Sequence, residues 1–171
     1  VWDGTYLWVA NDYDGADITR HNPNDCSFVR FNSPTIDPDG IAYDGSNFWI
    51  SDDELLTIFK MNPSGNLLTS FPIAGGSNSA IVYDENYVWV GDYWNSALKG
   101  INPTTLTTED YLALRAGTTS LTWDGTYYYG RAYPDIVNQY AIITDIAITP
   151  PTAKEEIAEG AETLVSAEIY T

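Results

Sequence analysis

The chain is poor in several things, and each shortage excludes something. One cysteine, Cys26, stands among 171 residues, so an intrachain disulfide and a cysteine-based zinc cluster are both excluded. A single histidine, His21, excludes a histidine-rich metal centre within the chain. Only seven Lys and Arg oppose 24 Asp and Glu, a net charge of −17. Nucleic acid and an anionic membrane surface would repel such a chain, so neither is an expected partner. No apolar run approaches the roughly 18 residues of a membrane span, so membrane insertion is not expected. No sustained helical period is found before about residue 150. The phosphate loop, the dinucleotide fingerprint and the glycine-flanked serine nucleophile are also missing. The chain opens on Val1 without a secretory leader, which reads as processed or excerpted. With 44% hydrophobic and 18% charged residues, it should nevertheless fold around a core.

A repeat dominates what is present. Tyr43-Asp44-Gly45-Ser46-Asn47-Phe48-Trp49-Ile50 matches Trp2-Asp3-Gly4-Thr5-Tyr6-Leu7-Trp8-Val9. It matches again at Tyr83-Asp84-Glu85-Asn86-Tyr87-Val88-Trp89-Val90 and at Trp123-Asp124-Gly125-Thr126-Tyr127-Tyr128-Tyr129. Asp3, Asp44, Asp84 and Asp124 are 41, 40 and 40 residues apart, and Trp8, Trp49, Trp89 and Tyr129 keep step. A second marker, Asn-Pro, recurs at 22–23, 62–63 and 102–103 and is missing from the fourth copy. Each repeat reads as four short strands rich in Val, Ile, Tyr, Phe and Trp, separated by turn residues. Four strands per 40 residues predict an all-β chain, a β-propeller of four blades. The blades cover about 1–40, 41–80, 81–120 and 121–148 and form a closed four-bladed ring or part of a larger one. Residues 149–171 read as a Pro-Pro linker and a strand-forming tail; a short acidic helix at 154–162 is the alternative.

The run Tyr43-Asp44-Gly45, Phe48-Trp49-Ile50-Ser51-Asp52, then Ile58-Phe59-Lys60-Met61-Asn62-Pro63-Ser64-Gly65 and Leu67-Leu68-Thr69-Ser70-Phe71 resembles YVTN/NHL-type propeller repeats of prokaryotic surface and secreted proteins. The tail resembles the opening of an immunoglobulin-like segment. The first resemblance covers about residues 1–148 and implies the propeller fold. It leaves function open among adhesive surface proteins, lyases, lactonases and cyclases.

The loops between second and third strands should carry function, because variable loops on a rigid scaffold usually do. They bring forward Tyr13, Asp52, Asp53, Asp92, Tyr93, Trp94, Arg131 and Tyr133. Aromatics with carboxylates suit sugar stacking or a cationic partner, and packing between blades is the competing role. Asp12, Asp14 and Asp17 around Gly15 offer hard oxygen ligands for Ca²⁺, although they lack the full calcium-loop spacing; a solvated acidic turn is the alternative. Carboxylate pairs across blades, Asp52 with Asp92 or Asp12 with Asp52, are open to acid–base work. Asp3, Asp44, Asp84 and Asp124 are expected to cap their own turns, and Trp8, Trp49 and Trp89 to pack between sheets. His21 occupies a position that is apolar elsewhere, and Cys26 sits beside Asp25, which would not activate it. No catalytic residue and no cofactor is expected, Ca²⁺ aside. The reading is an extracellular or cell-surface module for adhesion and assembly. Its partners are proteins or copies of itself joined through the tail or open blade edges, or glycans. A propeller enzyme of lyase, lactonase or cyclase type and a carbohydrate-binding propeller are the alternatives.

Overall fold

The computed structural model describes residues 1–12, 17–76, 79–113, 118–132 and 136–140. Tyr13, Asp14, Tyr133 and the expected linker and tail at 149–171 lie outside them. The described residues form 14 strands in four antiparallel sheets. The first sheet is β1 (Leu7–Asn11), β2 (Asp17–His21) and β3 (Phe28–Asn32). The second is β4 (Gly40–Tyr43), β5 (Phe48–Asp52), β6 (Thr57–Met61) and β7 (Leu67–Pro72). The third is β8 (Ala80–Tyr83), β9 (Val88–Asp92), β10 (Ala97–Ile101) and β11 (Thr108–Ala113). The fourth is β12 (Thr118–Trp123), β13 (Tyr128–Ala132) and β14 (Ile136–Tyr140). Each sheet is a meander in chain order, and β4, β8 and β12 are the innermost strands. This is the β-propeller architecture that the 40-residue period predicts. In the first blade the innermost strand is represented by one bridge, Trp2 to Leu7.

The blades hold together through shared apolar layers. Trp8 and Ile18 of the first pack with Phe48, Ile50, Phe59 and Met61 of the second. Trp49 and Ile58 of the second pack with Val88, Val90 and Ile101 of the third. Trp89 and Leu98 of the third pack with Tyr128 of the fourth. A middle blade is therefore covered on both faces. This explains why β5 and β9 are buried at every position and do not alternate like a half-exposed strand. The outer strand β7 is mostly exposed or half-buried.

The turn chemistry is local and repeats as expected. Asp44 Oδ1 accepts the backbone N–H groups of Ser46 (2.9 Å) and Asn47 (2.7 Å). Asp3, Asp84 and Asp124 do the same for their turns. The other oxygen has a further role. Indole Nε1 of Trp8, Trp49 and Trp89 donates to Oδ2 of Asp3, Asp44 and Asp84 at 2.6, 2.8 and 2.7 Å. One carboxylate thus closes the first turn and satisfies the only polar atom of the buried Trp. In the fourth blade the Tyr129 hydroxyl replaces the indole as partner of Asp124. Gly4, Gly45 and Gly125 follow the Asp at φ of +97°, +88° and +97°, where a Cβ is disfavoured. Glu85 takes this position in the third blade at φ +81°. Asn62 and Asn102 close the third-to-fourth turns through their side-chain oxygens.

Candidate functional site

The segment joining β3 to β4 crosses the turn between β5 and β6, and a carboxylate cluster forms where they meet. Asp37, Asp39 and Asp53 each place a carboxylate oxygen within 4.8 Å of the others, and all three are half-buried. Asp39 continues the ladder of β4, its N–H donating to the Ser51 carbonyl (3.0 Å), and its Oδ2 accepts the Asp53 N–H (2.9 Å). The backbone therefore anchors it at the loop-face end of an innermost strand. Burial pushes the Asp39 carboxyl up to about 7, and the charges of Asp53 and Asp37 add to this. Asp37 is raised as well, by burial and by the charges of Glu54, Asp53, Asp52 and Asp12. The cluster offers hard oxygen ligands, or a carboxyl that exchanges its proton near neutrality.

Asp37 and Asp39 are missing from the residues singled out by sequence. The signal was present in Asp37-Pro38-Asp39-Gly40, in a connection that shares the loop face. Its convergence with Asp53 depends on how two segments 14 residues apart cross.

The other expected site residues divide by surroundings. Asp52 is buried; its Oδ1 accepts the Leu55 N–H (2.6 Å), and Thr35 Oγ1 donates to its other oxygen. Asp92 is buried and accepts from the Asn95 N–H (3.0 Å), Asn95 Nδ2 (2.8 Å), the Gly76 N–H (3.1 Å) and Lys99 Nζ (2.9 Å). Burial would raise the Asp92 carboxyl, but the hydrogen bonds from Lys99, Asn95 and Gly76 hold it below the usual range. Lys99 is itself buried and also donates to the Ala74 carbonyl. Gly75 makes room for this pair: a Cβ there would lie 2.0 Å from Lys99 Nζ and 2.1 Å from Asp92 Oδ2. The β5–β6 and β9–β10 turns are thus equivalent four-residue turns, each closed by the Asp that ends its second strand. The longer, variable loops expected on this face are not found in the second and third blades, because these carboxylates tighten them.

Trp94 is 73% exposed, with its ring edge-on to Tyr93 at 5.0 Å. Arg131 is exposed and donates from Nη1 to Thr119 Oγ1 (3.2 Å). Asp12 is exposed. Asp17 is buried, with Arg30 Nε 2.7 Å from its Oδ2 and Asn11 Nδ2 3.4 Å from its Oδ1. Of the expected calcium ligands, one therefore already has a cationic partner. His21 Nε2 is 2.9 Å from Thr19 Oγ1, and Cys26 is an exposed free thiol at φ +58°.

A second feature lies on the axis. A cavity of about 410 Å³ is lined by the innermost strands of the second to fourth blades and by Val1 and Trp2 of the first. One aromatic from each repeat borders it, at the position before the turn Asp: Trp2, Tyr43, Tyr83 and Trp123. This rim marks the turn end of β4, three residues and about 10 Å from the loop-face end beside Asp39.

No family model matches the sequence, and no curated protein does. Solved structures show the fold. The chain is similar to Kuenenia stuttgartiensis hydrazine synthase, with TM-score 0.63 and 15% identity over 81% of this chain and 43% of that one. It is similar to Myxococcus xanthus glutaminyl cyclase, with TM-score 0.68 and 10% identity over 80% of this chain and 61% of that one. It is also similar to Staphylococcus aureus virginiamycin B lyase, with TM-score 0.55 and 14% identity over 80% of this chain and 52% of that one. The chain thus spans about half the length of the proteins it resembles, and what it shares with them is the propeller fold.

Proposed function

We propose that this chain is the propeller portion of an enzyme of the lyase or cyclase kind, acting at the loop-face end of β4 with Asp39 as its proton-transferring group. The observation that carries this is the position and state of Asp39. It lies where an innermost strand emerges beside the axis, flanked by Asp37 and Asp53, with a carboxyl that titrates at about 7. A base with that value is half deprotonated at neutral pH and still strong enough to take a proton. A cyclase and a lyase among the structural neighbours support the reading by analogy of fold alone. The test is turnover of a panel of glutaminyl peptides and lactones as a function of pH. The expected result is a rate that rises through pH of about 7 and falls at least about 100-fold in Asp39→Asn. Absence of turnover on the whole panel, with Asp39 titrating like an ordinary carboxylate by ¹³C NMR, overturns the proposal.

An extracellular or cell-surface assembly module of the YVTN/NHL type is the second reading. What favours it is the net charge of −17, which suits a solvent-facing surface module. Surface labelling of intact source cells tests this location; a protein recovered only from the cell interior counts against it.

A further inference from the structure

The residue opposite the repeat Trp on the following strand is Arg20 in the first blade, Lys60 in the second and Gly100 in the third. Lys60 lies over the Trp49 ring at 4.3 Å and ends 3.5 Å from Asp44 Oδ2, so its charge is paired. Arg20 is held differently. Its guanidinium lies 4.6 Å from the centre of the Tyr6 ring and 5.7 Å from those of Trp8 and Phe31. Among the described residues no carboxylate comes within 4.0 Å of it. Asp3, the equivalent acid, is already occupied by the N–H groups of Thr5 and Tyr6 and by Trp8 Nε1. Beside Arg20 opens a cavity of about 110 Å³, lined by Tyr6, Arg20, Asn22, Ser27, Phe28 and Val29. Asn22 Oδ1 accepts the Asn24 N–H (3.0 Å), and Ser27 Oγ donates to Asp25 Oδ1 (2.6 Å). The guanidinium, Asn22 Nδ2 and the Tyr6 hydroxyl have no hydrogen-bond partner among the described residues. The lining is therefore rich in open donors and contains no carboxylate. Tyr6, Arg20 and Val29 share the face of Trp8, which the second blade follows, so the pocket does not depend on any further blade.

We propose that this pocket binds a carboxylate, taken by the Arg20 fork with the Tyr6 hydroxyl and the Asn22 amide as further donors. The rings hold the guanidinium by its face and leave its N–H edge open, and a planar fork matches a carboxylate in two parallel hydrogen bonds. The cavity admits a group of that size and excludes a sugar ring or a nucleotide. The net charge of −17 repels anions at long range, and salt at 0.1 M screens this beyond about 10 Å, so one carboxylate is favoured over a polyanion. Val29, 46% exposed, gives an apolar shoulder to whatever carries the carboxylate. Its source is a free small acid or the carboxyl end of a peptide. The pocket lies at the turn end of its blade, away from the loop face, and the inference is independent of any role for Asp39.

Titration followed by ¹H–¹⁵N NMR of the Arg20 Nε–H group and by the Tyr6 ring resonances tests it, with ionic strength held constant by chloride. Acetate should shift these signals to saturation, and acetamide, of the same shape without the charge, should leave them in place. Triglycine and its C-terminal amide distinguish the source: the amide should not bind, and triglycine binding tighter than acetate assigns a peptide end, whereas equal or weaker binding assigns a free acid. Arg20→Lys keeps a cation over the rings but loses the fork, and should weaken acetate binding at least about tenfold. Tyr6→Phe removes one donor and should weaken it about threefold, with Arg20 still reporting. Equal responses to acetate and acetamide, a response that never saturates, or Arg20→Lys and Tyr6→Phe variants that bind like wild type overturn the proposal. Tripolyphosphate binding tighter than acetate overturns the choice of a carboxylate. Circular dichroism of each variant separates lost binding from lost folding.

Discussion

Asp84→Ala should destabilise the protein far more than the same change at the equivalent Asp124. Both aspartates accept two backbone N–H groups of their turn. Those donors lie near solvent, so losing the acceptor costs about 1 kcal/mol. Asp124 has one further donor, the Tyr129 hydroxyl, at a site open to water, whereas Asp84 has two buried ones, Trp89 Nε1 at 2.7 Å and the hydroxyl of Tyr128, which crosses from the next blade. Both donor residues are 1% exposed, so water cannot replace the carboxylate. Each orphaned donor adds about 1–3 kcal/mol, for a total of about 3–7 kcal/mol at Asp84 against about 1 kcal/mol at Asp124. A domain of this kind has about 5–15 kcal/mol in all, so Asp84→Ala approaches the limit of folding. Urea unfolding followed by tryptophan fluorescence measures both losses. The double change Asp84→Ala with Tyr128→Phe removes one orphan and should recover about 1–2 kcal/mol. Equal losses at Asp84 and Asp124, or no recovery in the double variant, would refute the idea that this carboxylate ties two blades together.

Three more expectations follow from the same interactions. Asp39 has a folded value of about 7 against an ordinary value of 3.8, so its stabilising contribution is full below 3.8 and is lost as pH rises through about 7. Asp39→Asn should therefore gain stability relative to wild type as pH rises from about 4 to about 7, read from urea midpoints; a pH-independent difference contradicts this. Asp92 is shifted the other way, so its contribution is present above its unfolded value and is lost as pH falls. Lys99→Met leaves the Asp92 carboxylate buried without its cation and should cost about 3 kcal/mol at neutral pH, less in acid as Asp92 protonates; a loss that does not change with pH argues against the ion pair as its source. Glu85→Gly should raise thermal stability by about 1 kcal/mol, because a Cβ at φ +81° is strained where the other three repeats place Gly; calorimetry showing a loss would contradict that.

The repeat was legible because its causes are local. An Asp that caps the N–H groups two and three residues ahead needs only its own turn, as does an Asn before Pro. The strands between them are short and their apolar residues recur at the same offsets. Partners across blades were not legible. Asp52 and Asp92 stood out as loop carboxylates, yet the structure buries them against Thr35 and Lys99, and nothing in a run of acids says which one will be covered. The bond from Tyr128 to Asp84 spans 44 residues, and Lys99 reaches the carbonyl of Ala74 across 25.

What the order of residues determined by itself is the period, the turn at each end of it and hence the propeller blade, since hydrogen bonds between near neighbours and alternate apolar side chains suffice for these. Tertiary structure alone decided which carboxylates lose water. Only the crossing of the β3–β4 connection over the β5–β6 turn gathers Asp37, Asp39 and Asp53, and only the stacking of blades distinguishes the buried Val88 and Val90 from the exposed Leu7 and Val9. Burial and charge proximity depend on distance through space, and that is set when the sheets pack.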